Sequence, residues 1–455
     1  MTVASRFSRR SFEPVAALAV ALLILSSLGC PGEPRRSATY AYPSATLSSG
    51  GSGSAAASKP EAKPSATSLA VASATATSTP TATPTASAAS AAPASKDGPL
   101  APTTDSWPLF RGDAKGQAVA ATTLPDKPEV LWKKEFKGDA FEATAVIADG
   151  TIYVGTNNSD ASGDFYALSL ADGAEKWKFH STAGFSSAAG LRDGKVFVGN
   201  FEGRCYCLDS GGKALWGFET KATIHGGPNF YKDKVLFTSE DGALYCLNAS
   251  DGKQQWEYKI DQPLYCAPSI VDNKVFLGGC DSVFHVVDLD TGKKISSVDI
   301  GVQTGNAPAI SGERAYFGTL GGGVLGIDWN KKEPEIAWTY VAGKRKPEYK
   351  SSAALSEGIV VLGGNDRQLH GINMTDGKSA WTFPAKGNIE SSPVVVGSRA
   401  FVGSSDGRLY AVNVKTGELE WDYDAGSDIV ASPAVASGRL VIGDVDGHLY
   451  CFGAK

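Results

Sequence analysis

Short apolar runs alternate with glycine-containing turns through most of this chain. In the clearest case, residues 399–423 read R-A-F-V-G-S-S-D-G-R-L-Y-A-V-N-V-K-T-G-E-L-E-W-D-Y. Two apolar runs that flank Asp406-Gly407 predict a β-hairpin, and beyond Gly417 apolar and polar residues alternate with the period of a half-buried strand. The glycines supply the positive φ that tight turns need. The stretch therefore predicts three consecutive strands.

The same pattern recurs at a regular spacing. Residues 195–218 and 234–258 repeat it, and Trp216 lies 40 residues before Trp256. A period of about 40–45 residues with four strands in each unit is typical of a β-propeller. The repeat therefore predicts an all-β fold built of blades.

Eight blades are predicted from eight segments that are rich in small residues and proline. These segments are residues 143–145, 186–188, 226–228, 267–269, 307–309, 351–353, 391–393 and 431–433. Small side chains suit the innermost strands because those strands converge on the propeller axis. Proline is tolerated there because one edge of such a strand is unpaired.

A bulky apolar residue marks the outer strand of each unit. Tryptophan takes this place at positions 177, 216, 256, 338, 381 and 421, and Ile295 takes it in the fourth unit. We interpret these side chains as docking against the neighbouring blade rather than as a stacking platform for a ligand. The last unit ends near Phe452 without an outer strand, and residues 131–136 can supply one. We therefore expect an eight-bladed β-propeller of four-stranded antiparallel blades, closed by an N-terminal strand that completes the last blade.

Residues 1–29 have the form of an export signal. Arg9 and Arg10 precede an apolar run over residues 15–28, which is shorter than the ~20 residues needed to span a bilayer. The S-R-R-S-F stretch resembles the twin-arginine export motif. The sequence before Cys30 resembles a lipoprotein cleavage site, although Ser27 stands where such sites prefer leucine. We expect lipidation of Cys30, the alternative being an ordinary secretory signal.

Residues 30–105 differ in composition from the rest of the chain. They are rich in alanine, serine, threonine and proline, and between residues 37 and 95 only Lys59, Glu61 and Lys63 are charged. Such a segment has too little apolar surface to offset the entropy of ordering it. We therefore expect a disordered tether with a root-mean-square span of roughly 45–50 Å, followed by a propeller over residues 106–455.

The repeat is specific enough to indicate a family. The W-P-L-F-R-G-D stretch at residues 107–113 and the repeat G-x-L-Y-A-L/V-x-x-x-T/D-G-x-x-x-W-x-F/Y resemble the PQQ-like β-propeller repeat family. Its members include quinoprotein alcohol dehydrogenases and a lipoprotein propeller of the outer-membrane β-barrel assembly machinery. The resemblance covers residues 107–452 and implies the fold. It leaves function open because the repeated residues build blades.

With the expected lipid anchor, the resemblance implies a non-catalytic scaffold for protein–protein interaction in the bacterial cell envelope. We expect it in the periplasm, at the outer membrane, with protein partners that include outer-membrane β-barrel assembly components. A net charge of −5 without long basic runs disfavours nucleic-acid binding.

Two alternatives remain open at this point. One is an envelope sensor that binds a small ligand or a carbohydrate. The other is a PQQ-dependent dehydrogenase, whose relatives carry two adjacent cysteines and carboxylates that hold calcium. This chain has no adjacent cysteines, the nearest being Cys205 and Cys207. We therefore expect neither PQQ nor calcium as a cofactor.

The residues at the start of the inner strands are the least repetitive in the units. They include Glu142, His225, Tyr265, Lys350 and Glu390, and blade packing does not demand these residue types. We expect them to surround the mouth of the central channel and to form a binding face, the alternative being ordinary solvated surface.

The remaining histidines and the cysteines have mostly structural interpretations. His285 and His370 occupy the position of repeated tyrosines, and no pair of the five histidines has metal-ligand spacing. Cys266 and Cys280 are expected on the same propeller face, and because an exported protein can be oxidised, we predict a disulfide between them.

Overall fold

The computed structural model describes residues 98–343 and 346–455. The export signal, Cys30 and nearly all of the tether lie outside these residues. The described part of the chain contains no helix long and apolar enough to cross a membrane.

The first strands among the described residues are β1 (Glu129–Glu135) and the short β2 (Asp139–Ala140). The next strands are β3 (Val146–Ala148), β4 (Thr151–Gly155), β5 (Asn157–Asn158), β6 (Gly163–Ser169) and β7 (Glu175–Ser181). Blade 1 has the order β3-β4-β6-β7, and β2 pairs with β5.

Blades 2 to 7 each consist of four consecutive antiparallel strands. Blade 2 contains β8 (Gly190–Arg192), β9 (Lys195–Gly199), β10 (Arg204–Leu208) and β11 (Ala214–Glu219). Blade 3 contains β12 (Asn229–Tyr231), β13 (Lys234–Thr238), β14 (Ala243–Asn248) and β15 (Gln254–Lys259). Blade 4 contains β16 (Ser269–Val271), β17 (Lys274–Gly278), β18 (Val283–Asp288) and β19 (Lys294–Asp299).

Blade 5 contains β20 (Ala309–Ser311), β21 (Arg314–Gly318), β22 (Gly323–Asp328) and β23 (Glu335–Val341). Blade 6 contains β24 (Ala354–Ser356), β25 (Ile359–Gly364), β26 (Gln368–Asn373) and β27 (Ser379–Pro384). Blade 7 contains β28 (Val394–Val396), β29 (Arg399–Gly403), β30 (Arg408–Asn413) and β31 (Leu419–Asp424).

Blade 8 is built from both ends of the folded region. Its first three strands are β32 (Ala434–Ala436), β33 (Arg439–Gly443) and β34 (His448–Gly453). Strand β1 is the fourth, and it pairs antiparallel with β34 from Glu129 opposite Gly453 to Glu135 opposite His448. The predicted eight-bladed propeller and its closure by an N-terminal strand are therefore confirmed.

Five of the six outer tryptophans identified from the sequence donate a hydrogen bond to the next blade, and Trp132 of the closing strand does so too. Trp381 of blade 6 donates its indole N–H to the carbonyl of Val414 in blade 7 at 2.8 Å. A Cβ atom on Gly417, which has φ +74°, would lie 2.7 Å from the Trp381 ring. The same N–H···O=C contact to the next blade is made by Trp132, Trp177, Trp216, Trp256 and Trp338. Glycine is therefore required in these turns by the approach of the ring as well as by φ.

Blade 4 departs from the pattern. The prediction that Ile295 takes the place of the outer tryptophan in this blade is wrong. In β18–β19, Ser296 lies opposite Val286 at the register where blade 3 has Trp256 opposite Cys246. Ile295 points elsewhere and is 47 % exposed. The turn of blade 5 instead carries Trp329, whose buried ring meets Phe276 of blade 4 edge to face at 4.9 Å. The large side chain at the junction of blades 4 and 5 is thus supplied by blade 5 and not by blade 4.

A segment that precedes β1 crosses the centre of the propeller. Its backbone forms hydrogen bonds to the inner strands of blades 1, 2, 4, 5, 6 and 7. The bonded pairs are Trp107 and Ile147, Pro108 and Leu191, Ala114 and Ile270, Lys115 and Ile310, Gln117 and Leu355, and Ala118 and Val395. These bonds use the unpaired edges of the inner strands. We call residues 107–120 the crossing segment.

Candidate functional site

One cavity of about 760 Å³ lies inside the ring of inner strands. Each blade contributes the residue four positions before its inner strand begins. We call this set the mouth ring, and it consists of Glu142, Ser186, His225, Tyr265, Gly305, Lys350, Glu390 and Val430. The structure therefore brings all five predicted site residues together, because the eight inner strands start at equivalent positions around one axis. That the ring binds a ligand or partner stays a prediction.

A second ring lies two residues further along each chain segment. This deep ring consists of Thr144, Ala188, Gly227, Ala267, Ala307, Ser352, Ser392 and Ser432. The backbone N–H of Ser352 donates to the Ser392 hydroxyl, and that of Ser392 to the Ser432 hydroxyl, each at 2.9 Å. Small side chains here allow the blades to approach and leave the cavity open.

The crossing segment contributes to the bottom of the cavity. Phe110 lines it, and its Cβ lies close to Gly227, where an added Cβ would be 3.2 Å away. From the sequence, this segment indicates only the family, because nothing in the W-P-L-F-R-G-D pattern reveals which strands it will meet.

Two carboxylates at the rim were also missed. Asp428, in the loop before blade 8, and Asp446, in the turn between β33 and β34, both line the cavity. Burial raises the pKa of Asp428, and the nearby Asp446 and Asp406 raise it further. The sequence Asp446-Gly447 indicates only a hairpin turn. In the structure, Asp446 also lines the cavity.

His225 is held by two hydrogen bonds. Its Nδ1 lies 3.0 Å from the Ser186 hydroxyl, and its Nε2 lies 2.6 Å from Glu240 Oε1. Its ring also contacts Tyr265, with 5.3 Å between the ring centroids. These contacts fix the imidazole as part of one wall of the cavity.

The charged members of the mouth ring have different partners. Lys350 Nζ lies 3.2 Å from Glu390 Oε1. Glu142 accepts a hydrogen bond from Asn157 at 2.7 Å. Burial raises the pKa of Glu142, Glu390 adds to this effect, and Asn157 and His225 oppose it. Glu142 is thus a carboxylate in a partly desolvated position, and no cationic side chain of the described residues forms an ion pair with it.

Most other polar groups of this propeller face have structural roles. Tyr245 and Tyr410 donate to Asp241 and Asp406, each at 2.7 Å. His285 replaces this tyrosine in blade 4 and bonds Asp281 at 2.9 Å. His370 does the same in blade 6 with Asp366 at 3.1 Å. The interpretation of both histidines as substitutions within the blades is confirmed by these contacts and by their burial.

The predicted disulfide between Cys266 and Cys280 is wrong in this structure. Cys266 carries a free, buried thiol. It packs in an apolar cluster that includes Ile224, Leu264 and Leu277. Burial accordingly raises its pKa to about 12. The prediction assumed that two cysteines on the same propeller face would meet. The Cys266 side chain is instead directed into the core between blades.

Below the cavity, the crossing segment carries two charges in the channel. Arg111 is buried and donates through Nη2 to the carbonyls of Ala353 and Pro393, at 3.2 and 2.6 Å. Burial lowers its pKa to about 9, which Asp113 partly opposes. Asp113 accepts backbone hydrogen bonds from Lys115 and Gln117. Burial nevertheless raises the pKa of Asp113 to about 6.

Asp113 should make stability depend on pH. Because its folded-state pKa lies above the unfolded value, the protonated carboxyl stabilises the fold at low pH, and this contribution is lost as pH rises through about 6. Between pH 4 and pH 7 we expect the free energy of unfolding of the wild type to fall by about 1–3 kcal/mol relative to Asp113→Asn. Denaturant unfolding at both pH values measures this difference, and parallel profiles would contradict it.

Comparison with known proteins identifies a family and a curated protein to which this chain is similar. A family model described as outer membrane protein assembly factor BamB matches residues 114–209, 201–331 and 329–455. The chain is 29 % identical over 145 residues to the outer membrane protein assembly factor BamB of Nitrosomonas eutropha. That match covers 31 % of this chain and 33 % of the relative. The alignment therefore spans about a third of the relative's length.

Solved structures share the fold at low sequence identity. BamB from Moraxella catarrhalis is 17 % identical with a TM-score of 0.61, and the match covers 72 % of this chain and 98 % of that one. A europium-containing methanol dehydrogenase is 14 % identical with a TM-score of 0.66, covering 77 % and 98 %. The quinohemoprotein alcohol dehydrogenase of Comamonas testosteroni is 16 % identical with a TM-score of 0.65, covering 78 % and 82 %.

The cavity lining does not suit PQQ, the quinone for which the repeat is named. PQQ is itself a polycarboxylate, whereas the lining has four carboxylates, Glu142, Glu390, Asp428 and Asp446, and one ammonium, that of Lys350. Like charges brought together in this way cost several kcal/mol. Within the residues described, no three His, Cys, Asp or Glu side chains are grouped to hold a metal ion.

Proposed function

This chain belongs to the family described as outer membrane protein assembly factor BamB, and on that premise we propose that it is a non-catalytic scaffold in outer-membrane protein assembly. The observation that carries the proposal is the family match, which runs through all eight blades in three consecutive segments. The scaffold would present loops at the two ends of a rigid ring to protein partners.

The non-catalytic role in this proposal is supported by the family match and not by the cavity side chains. His225 is hydrogen-bonded through both ring nitrogens, to Ser186 and Glu240, and Lys350 is paired with Glu390. The dehydrogenase structures share the fold with this chain, and a shared fold does not imply shared chemistry.

Attachment to the outer membrane through Cys30 is part of the proposal. Export by residues 1–29, lipidation of Cys30 and a tether over residues 30–105 would let the propeller meet partners away from the membrane surface. A lipid chain adds about 0.8 kcal/mol of membrane affinity for each buried CH₂ group.

Substitution of Cys30 tests the anchor. We expect Cys30→Ser to move the full chain from the membrane fraction to the soluble envelope fraction, because the thiol is the only proposed site of lipidation. Ser37→Ala, nearby in the tether, serves as the control and should remain with the membranes. Equal membrane recovery of the Cys30→Ser and wild-type chains would overturn the anchor.

Partner capture tests the scaffold. The full tethered chain is recovered from envelope extracts after mild cross-linking, and the bound proteins are identified by mass spectrometry. We expect a component of the outer-membrane β-barrel assembly machinery. Recovery of no such component would count against the scaffold, and a purified propeller that instead bound a quinone or a sugar would favour one of the alternatives.

A further inference from the structure

Arg111 of the crossing segment is a buried cation with unused hydrogen-bond donors. The residue is only 2 % exposed. Its Nη2 donates to the carbonyls of Ala353 and Pro393, whereas Nε and Nη1 are buried and have no hydrogen-bond partner among the described residues. Arginine is rarely buried without a partner, and buried donors normally find an acceptor. Within the part of the chain that the structure describes, these N–H groups therefore lack one.

Asp113 does not fill this role. Its charge acts on Arg111 from nearby, but its carboxylate is not a hydrogen-bond partner of Nε or Nη1. Its two oxygens instead accept the backbone N–H groups of Lys115, at 2.7 Å, and of Gln117, at 3.1 Å. These bonds hold the carboxylate against its own segment, so the guanidinium has no directly bonded counter-ion among the residues described.

A pocket of about 10 Å³ lies beside Arg111, between the crossing segment and the inner strands of blades 3 and 4. This volume holds one water molecule or one small ion. Asn229 and Ser269 also line the pocket, and the side chains of both already donate to backbone carbonyls. Among the described residues, the buried unused donors of the lining are therefore those of Arg111.

The pocket adjoins the bottom of the large cavity. Phe110, Ala267 and Ala307 line both. The Phe110 ring lies next to the guanidinium, with 5.4 Å from the Arg111 Cζ to the ring centroid. A small ion in the cavity therefore has a short route to Arg111 past the Phe110 ring.

We propose that Arg111 binds a small monovalent anion of the size of chloride in this pocket, through the N–H groups of Nε and Nη1. An anion supplies both the missing acceptor and the opposite charge, and hydrogen bonds between charged groups are about twice as strong as those between neutral ones. A water molecule would accept the same N–H groups but would leave the buried charge unpaired, which is costly. The inference follows from the surroundings of Arg111 and does not rest on the proposed function.

Three substitutions test the site. Arg111→Lys keeps the positive charge but lacks the planar fork of donors, so it should lose most of the anion binding. Asp113 lines the same pocket and its negative charge opposes an anion there, so Asp113→Asn should strengthen the binding. Arg399 is buried too, but its N–H groups donate to three backbone carbonyls, and Arg399→Lys is therefore the matched control.

The experiment is thermal unfolding of the full chain in sodium chloride and in sodium gluconate at equal ionic strength. Gluconate is too large for the pocket, and an anion that binds only the folded state raises the melting temperature. The melting temperature in chloride minus that in gluconate should be about 2–4 °C greater for the wild type than for Arg111→Lys. This difference should be larger still for Asp113→Asn and equal to the wild-type value for Arg399→Lys. Effects of the salts on the rest of the surface are common to all four chains and cancel.

Bromide locates the ion directly and does not depend on any variant. In crystals of the full chain grown in sodium bromide, anomalous scattering should show a peak within hydrogen-bond distance of Arg111 Nε and Nη1. The absence of that peak would overturn the proposal. It would also be overturned if Arg111→Lys, shown to be folded by circular dichroism, kept the full wild-type difference between the two salts.

Discussion

A chain that begins at residue 137 is expected to lose the cooperatively folded propeller. It would lack β1, so blade 8 would have three strands and β34 would expose an unpaired edge. It would also lack Trp132, which joins the closing blade to blade 1 through the carbonyl of Leu170. Because domains are stable by only about 5–15 kcal/mol, losing both contacts together with the crossing segment should exceed the margin. Size-exclusion chromatography and thermal unfolding measure the loss.

The matched control is a chain that begins at residue 98 and retains every element of the ring. It should be monomeric and should unfold in one transition, whereas the shorter chain should aggregate through its open edge. Adding residues 98–136 as a separate peptide should restore part of the folded fraction. A shorter chain that stays monomeric and melts at the same temperature would show that the ring does not depend on its closing strand.

Replacing Trp381 by alanine is expected to lower the free energy of unfolding by about 3–5 kcal/mol. The ring is 8 % exposed, lies over Gly417 of the next blade and donates to the carbonyl of Val414. Alanine would leave a cavity between blades 6 and 7 and an unpaired carbonyl. Denaturant unfolding measures the change.

Trp421 provides the matched control within the same repeat. Blade 8 has no turn between its third and fourth strands, because β34 and β1 are far apart in sequence. The Trp421 N–H accordingly has no acceptor among the described residues, and the ring is only half-buried. Trp421→Ala should therefore cost clearly less than Trp381→Ala. The Trp421 ring also packs against Phe452 of blade 8, so equal losses would mean that the indole hydrogen bond and the contact with the turn glycine contribute little beyond burial of the ring.

The parts of the structure that the sequence predicts are those that recur. The spacing of the outer tryptophans and of the inner small residues predicts the number of blades, and the missing outer strand predicts the closure by β1. The mouth ring follows in the same way, because residues at one register in eight blades must surround one axis. Glu142 and Glu390 could thus be placed at one site although they are distant in sequence.

The parts that the sequence does not predict depend on contacts made once. Residues 107–120 bond to the inner strands of six blades, and no repeat signals where a single segment will lie. At the junction of blades 4 and 5, blade 4 has Ser296 at the tryptophan register and blade 5 supplies Trp329 instead. The sequence of either blade alone does not reveal this replacement. The side-chain direction of Cys266 likewise depends on its local packing, which the position of its strand does not specify.

The most direct test of the scaffold function is the amount of β-barrel protein in the outer membrane of the source bacterium when this chain is removed. Our account predicts that several β-barrel proteins decrease together and that the full chain restores them. It also predicts that Glu175→Gln, at an exposed position on the outer strand β7, restores them as well as the wild type does. Unchanged amounts of β-barrel proteins in cells without the chain would contradict a role in outer-membrane protein assembly.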